Sequence, residues 1–219
     1  MAHVLITGGE SGLGLALTRV FTGAGNSVAV LCRESSPALD ALAPDIHAGV
    51  DVTNAAAVYR AAAEMGDTTI DVLINSAGIM IKDDIDRIDI GAVRLQFEVN
   101  ALGPLSIALA FRKRLRRGSK VINISSRLGS IGDNESGDDF GYRMSKAAQN
   151  MLTSNLAIEL AKEDVLVAAL HPGIVATGMT GGKGTPADEV AVDLKAVIDQ
   201  LDGAQSGRFL DRSGAQIPW

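Results

Sequence analysis

Two residues of one predicted helix, Tyr142 and Lys146, carry side chains that together perform acid–base chemistry. They stand four positions apart in Tyr-Arg-Met-Ser-Lys, and at 3.6 residues per turn positions i and i+4 share one helix face. An ammonium beside a phenol favours the phenolate and should lower the tyrosine pKa from its usual value of about 10. The pair therefore predicts a general acid or base active near neutral pH. The same spacing occurs by chance on exposed helices, so the pair needs support from elsewhere.

A short apolar strand near the N-terminus runs directly into a glycine-rich turn and then a helix. Residues 3–6 (His-Val-Leu-Ile) precede residues 7–14 (Thr-Gly-Gly-Glu-Ser-Gly-Leu-Gly). Gly8 suits a tight turn, Gly12 allows the backbone to approach a pyrophosphate, and Gly14 allows helix and strand to pack closely. The helix N-terminus offers N–H groups and the positive end of its dipole to an anion. The pattern predicts a nucleotide site, with an ordinary tight connection as the alternative.

Further motifs follow along the chain in a fixed order. They are Asp51-Val52, Asn75-Ser76-Ala77-Gly78, Asn100, Ile124-Ser125-Ser126, His171-Pro172-Gly173 and Thr177. With the glycine loop and the Tyr-x-x-x-Lys pair, they resemble the classical short-chain dehydrogenase/reductase family over the span from Thr7 to about Gly207. One departure is Ser76, where the family motif Asn-Asn-Ala-Gly has a second Asn. The short length and the ending Ile217-Pro218-Trp219 resemble the small C-factor and sniffer-like carbonyl reductases.

Short β-branched strands alternate with helices, which predicts an α/β fold. The expected strands are 3–7, 27–32, 46–50, 70–75, 119–125, 165–170 and 207–210. The expected helices are 12–24, 37–42, 54–65, 89–117, 141–163 and 186–201. We predict a single-domain Rossmann fold over residues 1–219, doubly wound, with a mostly parallel seven-stranded sheet and helices on both faces.

The resemblance implies a hydride transfer between a nicotinamide cofactor and a carbonyl compound or its alcohol. Tyr142 is then the proton donor or acceptor, Lys146 keeps it acidic and holds the cofactor ribose, and Ser126 hydrogen-bonds the reacting oxygen. Neighbouring strand residues point to opposite sides, so Ser125 and Ser126 cannot both act, and the resemblance selects Ser126. Asn100 is implied to hold a water that relays protons to Lys146, with a helix-kink role as the alternative.

The cofactor is predicted to be NADP(H) rather than NAD(H), because Arg33 follows the second strand where NAD sites usually place an acidic residue. A guanidinium suits a 2′-phosphate, and Ser35 and Ser36 lie close by in sequence. Against this, Ser11 stands where NADP-preferring relatives often carry a basic residue, and Glu10 adds negative charge. The predicted cofactor-binding residues are Thr7, Gly8, Glu10, Ser11, Gly12, Leu13, Gly14, Arg33, Asp51, Val52, Asn75, Ser76, Ala77, Gly78, Tyr142, Lys146, Pro172, Gly173, Val175 and Thr177.

The composition agrees with a soluble single-domain enzyme, which we expect to be cytoplasmic. The resemblance implies a small-molecule carbonyl or alcohol substrate, and no metal site is predicted. The net charge of −6 argues against a nucleic-acid surface, and the basic run 112–117 is interpreted as a solvated helix end. Apolar residues make up 47% of the chain, but no run reaches the roughly 20 needed to cross a membrane, and no signal peptide is evident. The single Cys32 suggests a reducing compartment and a core position, with a reactive thiol as the alternative.

Two polar, glycine-rich loops, 129–141 and 173–185, are predicted to form the rim of the substrate site, because ligands bind beyond the carboxyl ends of such strands. The second is a candidate lid. Trp219 is expected to have a core or packing role, with contact to a site or a subunit interface as alternatives. A modest aliphatic or aromatic carbonyl compound is the predicted substrate.

Three functional classes remain open from the sequence: a reductase or dehydrogenase, a C-factor-like signalling protein that binds cofactor with little turnover, and an isomerase or epimerase. The four intact catalytic positions favour the first. The resemblance also implies a homodimer or homotetramer through helices 89–117 and 141–163, while some small relatives are monomers. Leu152, Leu156 and Leu160 form an apolar stripe that faces either a partner or the chain's own sheet.

Overall fold

A seven-stranded, wholly parallel sheet organises the protein, as seen in a computed structural model that describes residues 1–42 and 44–219. The strands are β1 (His3–Thr7), β2 (Ser27–Leu31), β3 (Asp45–His47), β4 (Ile70–Asn75), β5 (Leu115–Ile124), β6 (Leu166–His171) and β9 (Arg208–Asp211). Their order across the sheet is β3-β2-β1-β4-β5-β6-β9. The predicted doubly wound Rossmann-type α/β fold is confirmed, and the predicted bounds of β1 and β4 match those observed.

Helices cover both faces of the sheet. They are α1 (Gly12–Gly23), α2 (Pro37–Asp40), α3 (Ala55–Glu64), α4 (Ile90–Phe97), α5 (Gly103–Phe111), α6 (Phe140–Leu160) and α7 (Ala187–Gln200). Two short strands that the sequence did not predict, β7 (Val175–Ala176) and β8 (Thr185–Pro186), pair in parallel at the base of the second glycine-rich loop. None of the helices in the part of the chain described here is long and apolar enough to span a membrane.

The predicted helix 89–117 was wrong at its C-terminal end. A π-helical turn at Glu98–Leu102 separates α4 from α5, and α5 ends at Phe111. Leu115 is buried and pairs with Ile70, so the chain is already extended where a helix end was expected. The basic run therefore spans a 3₁₀ turn and the start of β5. Three of its four arginines pair with acidic side chains: Arg112 with Glu163 at 2.6 Å, Arg116 with Asp71 at 2.5 Å and Arg117 with Asp164 at 3.4 Å.

Smaller differences affect the region after β2. The third strand ends at His47 rather than residue 50, because Gly49 takes a positive φ of 77° and Val50 N instead donates to the main-chain oxygen of Cys32. Helix α2 ends at Asp40 rather than residue 42.

Alternate residues of the central strands enter two separate cores. On β1, Val4 and Ile6 join the core beneath α1 and α7, whereas Leu5 joins the core beneath α3, α5 and α6. Helices cover both faces, which explains why the middle of these strands is apolar on both sides, as in Val4, Leu5 and Ile6 of β1. The polar residues that end the strands consequently gather at one edge of the sheet.

Candidate active site

The glycine turn after β1 is packed so closely that side chains are excluded from it. Gly8 has a φ of 70°, and a Cβ there would lie 2.9 Å from Ala77 Cα. A Cβ on Gly14 would lie 2.0 Å from the main-chain oxygen of Gly8. Thr7 Oγ1 accepts hydrogen bonds from the N–H groups of Ser76 (3.1 Å) and Ala77 (3.2 Å), so it fastens the turn to the end of β4.

The N-terminus of α1 opens onto this turn. Ser11 is the N-cap, but its side chain makes no cap bond to any described residue, and the first helical turn has no acidic side chain. A Cβ on Gly12 would lie 3.3 Å from Thr177 Cγ2, which places the segment after β6 over the turn. The close turn and the uncapped helix end fit the pyrophosphate of a dinucleotide.

Arg33 is exposed at the end of β2 and forms no ion pair with the residues the structure describes. Its charge helps lower the pKa of Asp51, whose main stabilisation comes from hydrogen bonds donated by Thr53 N (2.9 Å) and Oγ1 (2.7 Å). Ser36 Oγ donates to the main-chain oxygen of Glu10 at 2.8 Å, which ties this segment to the glycine turn. Arg33 thus stands close to Asp51, another of the predicted cofactor-binding residues.

Cys32 is buried in the core beneath α1, in keeping with the expected core position. Burial raises the pKa of its thiol to about 11, and the carboxylates of Glu10 and Asp40 add to the rise. A thiol of this kind is protonated at neutral pH and unreactive.

Some predicted cofactor residues face the protein interior. Asn75 is buried, and its Nδ2 donates to Asn123 Oδ1 at 2.8 Å. Val52 packs against α5, where its Cγ2 lies 2.8 Å from a Cβ built on Gly103. Glu10 Oε2 is buried and has no partner among the described residues. The other predicted positions, Leu13, Ser76, Ala77, Gly78, Pro172, Gly173 and Val175, follow β1, β4 and β6 at the carboxyl edge of the sheet.

Ser126 and Tyr142 come together at this edge. The turn after Ser126 packs tightly on α6, since a Cβ on Gly129 would lie 2.7 Å from the main chain of Lys146. Burial raises the pKa of Tyr142 to about 12, a hydrogen bond with Ser126 opposes the rise, and Asp139 adds to it. The adjacent Ser125 points the other way. It is buried and donates to Asn150 Oδ1 at 2.6 Å, so the geometry favours Ser126.

Lys146 is buried beside Tyr142, with its Nζ 5.8 Å from the centre of the phenol ring. The Nζ donates to the main-chain oxygen of Ile124 (2.8 Å) and to Gln149 Oε1 (2.9 Å). Burial lowers the pKa of Lys146 to about 7. The expected lowering of the tyrosine pKa by a lysine cation is therefore wrong for this structure: desolvation disfavours the charged forms of both groups. At neutral pH Tyr142 is a phenol that keeps its proton.

Asn100 lies within the π-helical turn and is fully buried. Its Oδ1 accepts from Ile79 N (2.9 Å), and its Nδ2 donates to Ile79 O (2.9 Å) and Ser145 Oγ (3.0 Å). The side chain thus joins the segment after β4 to α6 through three hydrogen bonds. The turn interrupts the helix as the alternative interpretation expected, and the implied water relay stays a prediction.

Three further residues support this arrangement, and the sequence analysis gave none of them a role. The carboxylate of Asp83 accepts from the main-chain N–H groups of Phe140 (2.5 Å) and Gly141 (3.0 Å), which caps the helix that carries Tyr142. His171 Nδ1 accepts from Arg127 N at 3.2 Å, next to Ser126. Gln149 is the side-chain acceptor of Lys146. Two of them had a visible signal: Gln149 stands three residues after a candidate catalytic lysine, and His171 lies within the His171-Pro172-Gly173 motif.

The C-terminal residues hold the first rim loop. The Trp219 ring stacks on Phe209 at 5.7 Å, and its main-chain oxygen accepts from Ile131 N (3.0 Å) and Gly132 N (2.9 Å). Ser130 Oγ donates to Pro218 O at 2.7 Å. Trp219 therefore has a packing role, against Phe209, but it lies outside the core with 37% of its surface exposed. Its main-chain oxygen also fixes the loop that follows Ser126.

Comparisons with known proteins agree with this geometry. A family profile described as short chain dehydrogenase matches residues 2–187. The 1-hydroxy-2-glutathionyl-2-methyl-3-butene dehydrogenase of Rhodococcus sp. strain AD45 is 36% identical over the whole of both chains. The C-signal protein of Myxococcus xanthus is 40% identical over 68% of this chain and 93% of its own. The NADPH-bound carbonyl reductase from chicken fatty liver superposes with a TM-score of 0.90 at 29% identity, over 100% of this chain and 99% of its own.

Proposed function

Because this chain belongs to the short-chain dehydrogenase family, we propose that it is an NADP(H)-dependent oxidoreductase that interconverts a carbonyl compound and its alcohol. One observation carries the proposal: Tyr142 is buried against Ser126 and Lys146 at the edge of the sheet where the glycine turn opens. The proposal includes a cytoplasmic location, which a single buried cysteine suits.

The binding part of the proposal assigns the pyrophosphate to the glycine turn and the uncapped N-terminus of α1. Arg33 is assigned to the 2′-phosphate, and Lys146 to the nicotinamide ribose. When bound, NADPH supplies the hydride for reduction of the carbonyl carbon. The NADPH found in the structurally similar carbonyl reductase supports this choice of cofactor.

The protein residues handle the proton and the developing charge. Tyr142 donates its phenolic proton to the carbonyl oxygen, and Ser126 hydrogen-bonds the same oxygen. A pKa of about 12 leaves Tyr142 protonated at neutral pH, which suits reduction, because the reverse reaction requires a phenolate. The lowered pKa of Lys146, about 7, gives this residue an exchangeable proton beside Tyr142.

The substrate is proposed to be a small neutral carbonyl compound. The first rim loop carries Asp133, Glu135, Asp138 and Asp139, so its charge disfavours anionic substrates. The Rhodococcus relative, named for a glutathionyl compound, makes a glutathione conjugate the second candidate.

The direct test measures loss of reduced-nicotinamide absorbance with aldehydes, ketones, quinones and a glutathione-conjugated aldehyde. We expect turnover with at least one neutral class. NADPH binding, measured by fluorescence titration, without turnover of any class would instead support the signalling alternative, which the similarity to C-signal keeps in view.

Cofactor preference should depend on Arg33. In Arg33→Ala we expect the Kd for NADPH to rise about tenfold or more, because a charge-assisted phosphate contact is worth roughly 1.5–3 kcal/mol. The Kd for NADH, which has no 2′-phosphate, should change little. The exposed Arg87, paired with Asp84, provides the matched control Arg87→Ala. An equal rise in the Kd for NADPH and the Kd for NADH in Arg33→Ala would count against the assignment of Arg33 to the 2′-phosphate.

A homodimer through α4, α5 and α6 is the proposed assembly. The predicted leucine stripe is not available for a dimer interface. Leu160 belongs to the chain's own core, and Leu156 packs against that core. Six exposed apolar side chains recur at intervals of seven along these helices and the π-helical turn between α4 and α5: Leu95, Leu102 and Leu109, and Met144, Met151 and Ile158. We expect Met151→Lys to shift sedimentation from dimer to monomer, while Tyr59→Lys, on the exposed face of α3, does not. A monomeric wild type would refute the assembly.

A further inference from the structure

A buried amide on α6 contacts Lys146 and has no part in the roles assigned above. Gln149 has no exposed surface, and its Oε1 accepts a hydrogen bond from Lys146 Nζ at 2.9 Å. The other acceptor of the ammonium is the main-chain oxygen of Ile124, at 2.8 Å. Both acceptors are uncharged, and together they take two of the three N–H donors of the lysine.

The amide nitrogen of Gln149, Nε2 at the other end of the same group, is buried and makes no hydrogen bond to a described residue. Burying an unpaired amide donor costs free energy, and an apolar side chain would fill the same interior position without this cost. The bond to Lys146 is therefore the contribution that distinguishes Gln149 from a leucine or methionine.

The helix turn that carries Gln149 is anchored to the sheet by a chain of buried hydrogen bonds. Thr153 Oγ1 donates to the main-chain oxygen of Gln149 (2.9 Å), and Asn123 Nδ2 donates to Thr153 Oγ1 (2.9 Å). Asn75 Nδ2 in turn donates to Asn123 Oδ1 (2.8 Å). This chain of hydrogen bonds fixes Gln149 relative to β4 and β5, the two strands that precede the segments carrying Gly78 and Ser126.

The surroundings of Lys146 are uncharged. From its own helix it faces the Tyr142 phenol, beyond which lies the Asp139 carboxyl at the start of α6. From β5 it meets the Ile124 carbonyl, and a Cβ on Gly78, after β4, would lie 3.8 Å from Nζ and 3.3 Å from Asn100 Oδ1. Burial lowers the pKa of Lys146, and no charged group offsets it.

We propose that Gln149 is a positioning residue, which holds the Lys146 ammonium between its side-chain oxygen and the Ile124 carbonyl and so keeps Nζ beside Tyr142. The inference rests on the proposed function, in which Lys146 serves Tyr142 and the cofactor ribose. An amide fixes the lysine without the negative charge that would hold it as a permanent cation.

The test is an NMR titration of the ligand-free protein labelled with ¹³C at lysine Cε. The chain has seven lysines, and Lys146→Met identifies the signal of Lys146. In Gln149→Glu the Lys146 pKa should rise by about one unit or more, because an opposite charge at hydrogen-bond distance favours the ammonium. In Gln149→Met it should fall, because the charged form loses an acceptor. The matched control is Asn150→Leu.

Asn150 is a buried amide next to Gln149, but its partners are Ser125 and the Gly129 carbonyl, so Asn150→Leu should leave the Lys146 titration at its wild-type midpoint. An unchanged midpoint in both Gln149 variants would overturn the inference. If Gln149→Glu fails to fold, the apolar Gln149→Met decides alone. Shifted midpoints in a protein that reduces no carbonyl compound would refute the proposed function and leave the positioning role intact.

Discussion

Tyr142→Phe is expected to lower the kcat for carbonyl reduction on the order of a thousandfold, because it removes the group that donates the proton. The ring itself stays, so its packing in α6 and the nearby Lys146 should change little. NADPH should still bind with nearly the wild-type Kd, since the assigned pyrophosphate and 2′-phosphate contacts lie elsewhere. The measurement pairs the absorbance assay with fluorescence titration of NADPH.

The chain offers a matched control, because its only other tyrosine is Tyr59, about half exposed on α3. Tyr59→Phe likewise removes a phenolic hydroxyl, but from the surface, and should keep the wild-type kcat. Retention of most of the activity in Tyr142→Phe would show that another group donates the proton.

Gly14→Ala should abolish measurable NADPH binding, because the added Cβ would lie 2.0 Å from the main-chain oxygen of Gly8. The contact is with backbone, so relief requires α1 to move away from the glycine turn that is assigned to the pyrophosphate. Overpacking of this kind also lowers the free energy of unfolding by about 1–3 kcal/mol. Fluorescence titration and urea unfolding measure the two effects.

Gly23→Ala provides the comparison on the same helix. Apart from its chain neighbours and the backbone of α1, no atom of the described residues lies within 4 Å of a Cβ built on Gly23. Alanine favours helix by up to about 1 kcal/mol relative to glycine. This variant should bind NADPH like wild type and be equally or slightly more stable. Tight NADPH binding by Gly14→Ala would rule out the glycine turn as the pyrophosphate site.

Local sequence patterns were sufficient to predict the strands and the glycine turn of the Rossmann fold. The apolar runs 3–7 and 70–75 have the length and composition of parallel strands, and both strands were placed at their observed bounds. The glycine turn could also be predicted from the sequence, because tight turns and close helix–strand packing require glycine at particular positions. Ser126, Tyr142 and Lys146 were chosen from spacing and motif, and the fold brings these three together.

The long predicted helix shows where local information ends. Residues 112–117 suit a helix end by charge, yet Leu115 pairs with Ile70 on a strand 45 positions earlier. The same limit applies to the stripe of leucines on α6. Helical periodicity alone does not say which side meets the sheet, and only the packed structure turns Leu156 and Leu160 inward.

The sequence by itself determined the Rossmann framework, the glycine turn and the candidate acid–base pair, because these depend on short-range patterns. Only the tertiary structure decided the ionisation of that pair. Burial beneath residues distant in sequence raises the pKa of Tyr142 and lowers that of Lys146, the reverse of what a lysine beside a phenol in water would give. It also decided that Asn75 turns inward to Asn123, and that Ile124 at the end of β5 accepts a hydrogen bond from Lys146 together with Gln149 of α6. Desolvation and long-range contacts set these properties, and neither is encoded in the spacing of residues along one helix.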